Sequence, residues 1–161
     1  MKKIVIILLV CLLVLCGCKQ EVEFEKPANL YYVNTDYSGT ESVTLFSVEQ
    51  VESKNLYTIN ILRQYFRRTT GEMSHSPFPS GLQVVRVEHV SDTLYVTLSR
   101  GYLSLTGLDL TLANACLYKT CTELTGATKV QIIIDGALPE ETSTILLSPE
   151  DFFLEDYTSE Q

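Results

Sequence analysis

Histidine is scarce in this chain, with two among 161 residues, and the residue combinations behind most hydrolytic and metal chemistry are missing. No His-Glu-x-x-His, no Gly-x-Ser-x-Gly and no glycine-rich phosphate loop with its lysine occurs. Positive charge is also short: 12 Lys and Arg stand against 20 Asp and Glu. That balance repels nucleic acid phosphates and anionic lipid headgroups, whose binding depends on clustered Lys and Arg, and it excludes nucleic acid as a partner. The longest apolar run, Ile4 to Cys16, has 13 residues, fewer than the roughly 20 a helix needs to cross a bilayer. With 45% hydrophobic and 20% charged residues, the chain is globular in composition, which excludes a disordered or collagen-like polymer.

What is present at the start is an address. Lys2 and Lys3 precede the apolar run and Gly17 follows it, the order of a secretory signal, with an integral helix the weaker reading. The run closes in Leu15-Cys16-Gly17-Cys18, which resembles the bacterial lipobox. That resemblance implies diacylglycerol on the Cys18 thiol and cleavage before it; an ordinary cleaved signal or a short anchor is the alternative. Two acyl chains anchor stably where one gives marginal binding. The expectation is a protein held on the extracytoplasmic face of the cell membrane through a lipid at Cys18. Loss of residues 1–17 leaves ten bases against twenty acids and, of five cysteines, only Cys116 and Cys121 besides Cys18. Export invites a disulfide between those two. Five positions apart in one helix, however, they point to different faces at about 100° per residue, so packed thiols are expected unless the helix ends between them.

Along the mature chain, 18–28 is charged and aperiodic, and reads as a tether from the membrane. Leu30 to Val33 and Val43 to Val48 are strand-like runs joined by Asn34-Thr35-Asp36-Tyr37-Ser38-Gly39, a turn composition that predicts a hairpin. Lys54 to Thr69 lacks Gly and Pro and carries Leu56, Ile59, Leu62 and Phe66 at helical spacing, with Ser53 as N-cap. Arg63, Arg67 and Arg68 then read as the solvated C-terminal end of that helix, favoured by its dipole. Thr70 to Gly81 reads as a loop. Leu82 to Val90 and Thr93 to Leu98, about Ser91-Asp92, form a second hairpin with Tyr95 and Thr97 opposite Leu94, Val96 and Leu98. A second helix is expected from Leu108 to Leu124 on the stripe Leu110, Ala113, Leu117, Cys121 and Leu124, ended by Gly126. Thr128 to Asp135 is the last strand.

This is an α+β domain in ββαββαβ order, over 29–137, with two helices on one face of a mixed, mainly antiparallel sheet. Residues 138–161 form an acidic C-terminal segment in which Ser148-Pro149-Glu150-Asp151 begins a short helix carrying Phe152, Phe153 and Leu154.

Several motifs in Leu56 to Gly136 resemble the GerM-type (GerMN) domain of sporulation and germination lipoproteins. They are Ser76-Pro77-Phe78-Pro79-Ser80-Gly81 after a helix, Leu94-Tyr95-Val96-Thr97-Leu98-Ser99 after a tight turn, Lys119-Thr120-Cys121-Thr122-Glu123-Leu124 closing a helix, and Ile132-Ile133-Ile134-Asp135-Gly136 ending a strand. Thr97 stands where the family usually has an acid and Cys121 where it has leucine. The resemblance implies one copy of that domain in spore or cell-envelope assembly. It also implies similarity to ring-building envelope modules, whose helix, strand, strand, helix, strand order matches Lys54 through Asp135.

No cofactor, metal or catalytic set is expected. His75 between Ser74 and Ser76 reads as a solvated loop, His89 as a surface residue, and Asp92 and Asp135 as turn formers. The expected role is a non-enzymatic module that binds envelope proteins or copies of itself, through an edge strand or the sheet face bearing Tyr95, Thr97 and Ile133. The alternative is a ligand-binding lipoprotein that recognises a cell-wall fragment through Tyr31, Tyr32 and Phe46. A third reading, a hydrolase built on Ser74 to Ser76 with His75, has only that one histidine to support it.

Overall fold

Alternation of apolar and polar side chains sets the two main sheets. The structure, a computed structural model, describes residues 23–24, 27–34, 45–51, 56–67, 74–139 and 141–152. The lipobox with Cys18, the expected N-cap Ser53, and Arg68 lie outside them. Among the described residues the strands are β1 (Glu23–Phe24), β2 (Ala28–Asn34), β3 (Phe46–Val51), β4 (Leu56–Tyr57), β5 (Ser74–His75), β6 (Val84–Val90), β7 (Thr93–Ser99), β8 (Lys129–Asp135) and β9 (Thr144–Leu147). The α-helices are α1 (Thr58–Arg67) and α2 (Gly107–Thr125).

The class is α+β as expected, but the strands divide among three sheets: β1-β4, β3-β2-β5 and β6-β7-β8-β9. The expected hairpins form, β2 with β3 and β6 with β7, both antiparallel. Strand β8 runs parallel to β7, so the connection must cross over, and α2 fills it. Strand β9 closes the sheet antiparallel to β8.

Four local expectations need correction. Glu23–Phe24, within the expected tether, pairs with Leu56–Tyr57, so the first helical turn gives way to strand and α1 starts at Thr58. The core side of α1 is Ile61, Leu62 and Tyr65, while Ile59 and Phe66 are partly buried at its margin. In the expected loop, Ser74–His75 joins β2 as a third strand. The acidic C-terminal segment supplies β9 and then a 3₁₀ turn, Pro149–Asp151, in place of a helix. Asp151 accepts the Ser148 N–H at 2.7 Å and the Ser148 hydroxyl at 2.9 Å, a cap that serves one turn, and Phe152 stacks on Tyr118 at 5.0 Å between centroids.

Helix α2 is buried on two sides. At 100° per residue Leu117, Cys121 and Leu124 share one side and Cys116, Thr120 and Glu123 an adjacent one. It packs against β7 and β8 and also against β2, and Cys116, Leu117, Thr120, Cys121 and Leu124 are all buried. Cys116 and Cys121 are free thiols in an unbroken helix. Burial pushes Cys116 up to about 12, against a smaller opposing pull from Lys119, and raises Cys121 further. Gly126 ends the helix at φ 71°, a left-handed conformation, with its N–H bonded to the Thr122 carbonyl at 2.7 Å.

The Ser76 to Gly81 turn seats Phe78 in an aromatic cluster, 4.6 Å from Phe66 and 5.2 Å from Tyr65, with Tyr32 5.1 Å from Tyr65. Tyr102, in the 3₁₀ turn Arg100–Ser104, is buried and donates to Asn114 Oδ1 at 2.6 Å. That bond ties the turn after β7 to the third turn of α2.

Candidate functional site

The four-stranded sheet has one covered face and one open face. Leu94, Val96 and Leu98 on β7, Val130, Ile132 and Ile134 on β8 and Leu147 on β9 point into the core. By strict alternation the other face carries Tyr95 and Thr97 on β7 and Gln131 and Ile133 on β8. Tyr95 lies opposite Gln131 and Thr97 opposite Ile133. Arg86 and Glu88 on β6 face Thr97 and Tyr95, Val90 faces Thr93, and Leu146 on β9 faces Gln131. None of Tyr95, Ile133, Val90 and Leu146 belongs to the core cluster or its packed margin. Val90 and Leu146 are 54% and 53% exposed, so the face meets solvent.

Its centre is neutral and its rim carries two ion pairs and the exposed Asp135. Arg86 bonds Glu88 across two positions of β6, and Lys129 reaches Asp92 at 3.2 Å. An aromatic and aliphatic centre within a charged, wet rim is the arrangement of a protein contact surface. The expected residues Tyr95, Thr97 and Ile133 therefore lie together. Leu146 joins them from β9, whose Thr144-Ile145-Leu146-Leu147 run is a strand signal too short to stand out among acidic neighbours.

Asp92 is a turn former with a further task. Its carbonyl accepts the N–H groups of Thr128 and Lys129 at 2.9 and 3.1 Å, and its carboxylate accepts the Thr93 hydroxyl at 2.9 Å. The Thr93 bond first, and then Lys129, hold its carboxyl below the usual range. The hairpin turn is thereby pinned to the start of β8. Asp135 ends β8, exposed, ahead of Gly136 at φ 75°.

The other candidates do not converge. Tyr31 and Tyr32 are successive residues of β2 and project to opposite sides. Tyr32 is buried against Tyr65, whereas Tyr31 meets Phe46 edge-on at 6.4 Å, with Lys119 Nζ 5.6 Å from the Tyr31 ring and 5.4 Å from the Phe46 ring. Glu123 accepts from both the Tyr31 hydroxyl and Asn29, so these rings are engaged by α2 rather than arrayed around a cavity. His75 is exposed on β5, and the Ser76 hydroxyl accepts the Phe78 N–H at 3.4 Å, a turn contact. His89, expected on the surface, is half-buried on the core side of β6 opposite Leu94. Among the described residues no group of three or more His, Cys, Asp or Glu is placed to hold a metal ion, and no helix is long and apolar enough to cross a membrane.

The edge of β2 is shut by hydroxyls. Tyr31 donates its N–H to Thr120 Oγ1 at 3.0 Å, and its carbonyl accepts from Tyr65. Thr120 and Tyr65 are both fully buried. Desolvation raises the Tyr65 hydroxyl well above its ordinary value, although Thr120 bonds to it and lowers it in part. Two helices thus satisfy the N–H and the carbonyl of one residue, Tyr31, which would otherwise offer an open strand edge.

Comparison with known proteins places this fold. The family model described as "Germane: Sporulation and spore germination" matches residues 29–140. The structure of the first GerMN domain of the sporulation protein GerM from Bacillus subtilis superposes with a TM-score of 0.53 at 13% identity, over 78% of this chain and 98% of that one. A crystal structure from Clostridium perfringens, described provisionally as a lipoprotein, aligns at a TM-score of 0.47 and 16% identity over 82% of this chain and 93% of that one. No curated protein matches significantly.

Proposed function

The chain belongs to the Germane family of sporulation and spore germination domains, and from that premise we propose that it is a non-enzymatic interaction module tethered outside the membrane by lipid at Cys18. Its role is to hold an envelope or spore-assembly protein. The observation that carries this reading is the open face of the β6-β7-β8-β9 sheet, where Tyr95, Thr97, Gln131 and Ile133 form a neutral centre with Leu146 and Val90 beside it. The partner that suits it presents an apolar or neutral surface, because the centre is uncharged and four of the charged side chains at the rim, Arg86, Glu88, Lys129 and Asp92, already pair.

A cell-wall ligand held by Tyr31, Tyr32 and Phe46 is disfavoured by their divergence across β2.

Two variants test the proposal in cells. Cys18→Ala should move the protein out of the membrane fraction. Tyr95→Asp with Ile133→Asp should leave it folded and membrane-bound while abolishing complementation of a strain that lacks it. Full complementation by a stable, correctly located double variant would overturn the assignment of this face.

A further inference from the structure

Six Lys and Arg side chains lie among the described residues, and four of them have partners. Arg86 bonds Glu88, Arg100 bonds Glu141, Lys129 bonds Asp92, and Lys119 sits over the Tyr31 and Phe46 rings. Arg63 and Arg67 are the remaining pair. They are exposed, one turn apart on α1, and therefore neighbours on one face of the helix. Both line a recess of about 260 Å³ between α1 and the approach to β6, whose other walls are Leu82, Gln83 and Val84. Leu82 and Val84 are buried, so the exposed lining is mostly polar, and Gln83 is exposed. Its backbone is fixed by Ser99, through Gln83 N–H to Ser99 Oγ at 3.1 Å and Ser99 N–H to the Gln83 carbonyl at 2.9 Å.

In a chain with 20 acids, two guanidiniums that line one recess with no carboxylate partner among the described residues are a concentrated donor set. The dipole at the helix end accounts for Arg67, which lies in the last turn, but not for Arg63 or for the recess. The geometry points to a binding site for a compact phosphate group, with Arg63 and Arg67 as forked donors and the Gln83 side-chain amide as a third. A phosphate monoester carries about −1.5 to −2 at pH 7 and so neutralises the pair, where one carboxylate leaves a net charge. Bidentate Arg–phosphate bonding is the strongest form of such contacts. The volume falls below that of sites that enclose a whole small molecule, roughly 300 Å³ and upward, so the site takes the end of a ligand. The overall acidity of the chain favours a single group over a continuous anionic surface.

Titration of inorganic phosphate and of glycerol phosphate into the ¹⁵N-labelled full chain tests this. Saturable shifts are expected at the Arg63 and Arg67 Nε–H and Gln83 side-chain amide signals, with Arg86 and Arg100 unmoved. Arg63→Gln should weaken binding about tenfold or more, and Arg63→Lys, which keeps the charge and loses the fork, by less; unchanged melting temperatures certify both folds. A parallel titration with phosphatidylglycerol and phosphatidylcholine vesicles identifies the source: response to the first alone assigns a lipid headgroup, and response only to the small phosphates assigns a soluble ligand. Equal response to acetate, shifts spread over all arginines, or unchanged affinity in Arg63→Gln would overturn the site.

Discussion

Replacing Thr120 by valine removes one hydroxyl from the fully buried face of α2 and changes almost nothing in shape. The Tyr31 N–H then loses the acceptor it holds at 3.0 Å, beneath a helix that keeps water out. An unsatisfied buried donor costs about 1–3 kcal/mol. For a domain of this size that corresponds to roughly 4–15 °C in melting temperature. Thr120→Ser provides the opposite perturbation, keeping the acceptor and losing a methyl group worth about 0.8 kcal/mol. Urea unfolding of the three proteins should rank wild type above Thr120→Ser and that above Thr120→Val, with unchanged m. Tyr65→Phe withdraws the donor from the carbonyl of the same residue, Tyr31, and Tyr65 also bonds Thr120, so the Thr120→Val, Tyr65→Phe pair should be non-additive by at least about 0.5 kcal/mol. If Thr120→Val lies within experimental error of wild type, or Thr120→Ser is the worse of the two, the hydroxyl does not close this strand edge and packing alone holds β2 on α2.

Three further outcomes follow from the same structure. Burial raises Tyr65, Tyr102 and both thiols, so their stabilising contribution is complete below their unfolded values, about 8.5 for Cys and 10 for Tyr, and is lost as pH rises toward the folded ones. Equilibrium unfolding should show stability falling steadily above about pH 9, and a thiol reagent should modify Cys116 and Cys121 only as fast as the protein opens. The acid side runs the other way, because Asp92 and Glu141 are lowered, chiefly by Thr93 and by Arg100. Their contribution is present above the ordinary carboxylate range and fades below it, and Asp92→Asn should flatten that acid limb in a pH-dependent melt. Gly126→Ala places a Cβ at φ 71° and should cost about 1 kcal/mol, read as a shift in the urea midpoint.

Much of the fold is legible in the sequence because period and position agree. Val96 and Ile132 alternate with Tyr95 and Ile133, so residue order alone separates the two faces of the central strands, and that separation also puts the proposed contact residues together. Helix α2 is legible by its Leu110 to Leu124 stripe but not by its second side, because Thr120 is polar and its burial depends on a peptide in a distant strand. Strands β1 and β4 have two residues each, too few to carry a period. Leu56 fits a helical stripe with Ile59 and Leu62, yet its backbone pairs with Phe24, so a tertiary ladder overrides local spacing. The Arg63 and Arg67 recess is illegible for the same reason: α1 supplies the arginines, and the residues leading into β6 supply the walls.

The most direct test of the central claim is a map of in-cell contacts. A photo-crosslinking amino acid placed singly at Tyr95, Ile133 and Leu146, and as controls at the exposed Gln64 on α1 and Glu150 beyond β9, reads which surface touches another protein. The account predicts one reproducible adduct, of the same identified partner, from the three sheet positions and from neither control, in membranes of cells building an envelope or a spore. Adducts from the controls alone, or none from the sheet face at any stage of growth or sporulation, would contradict it.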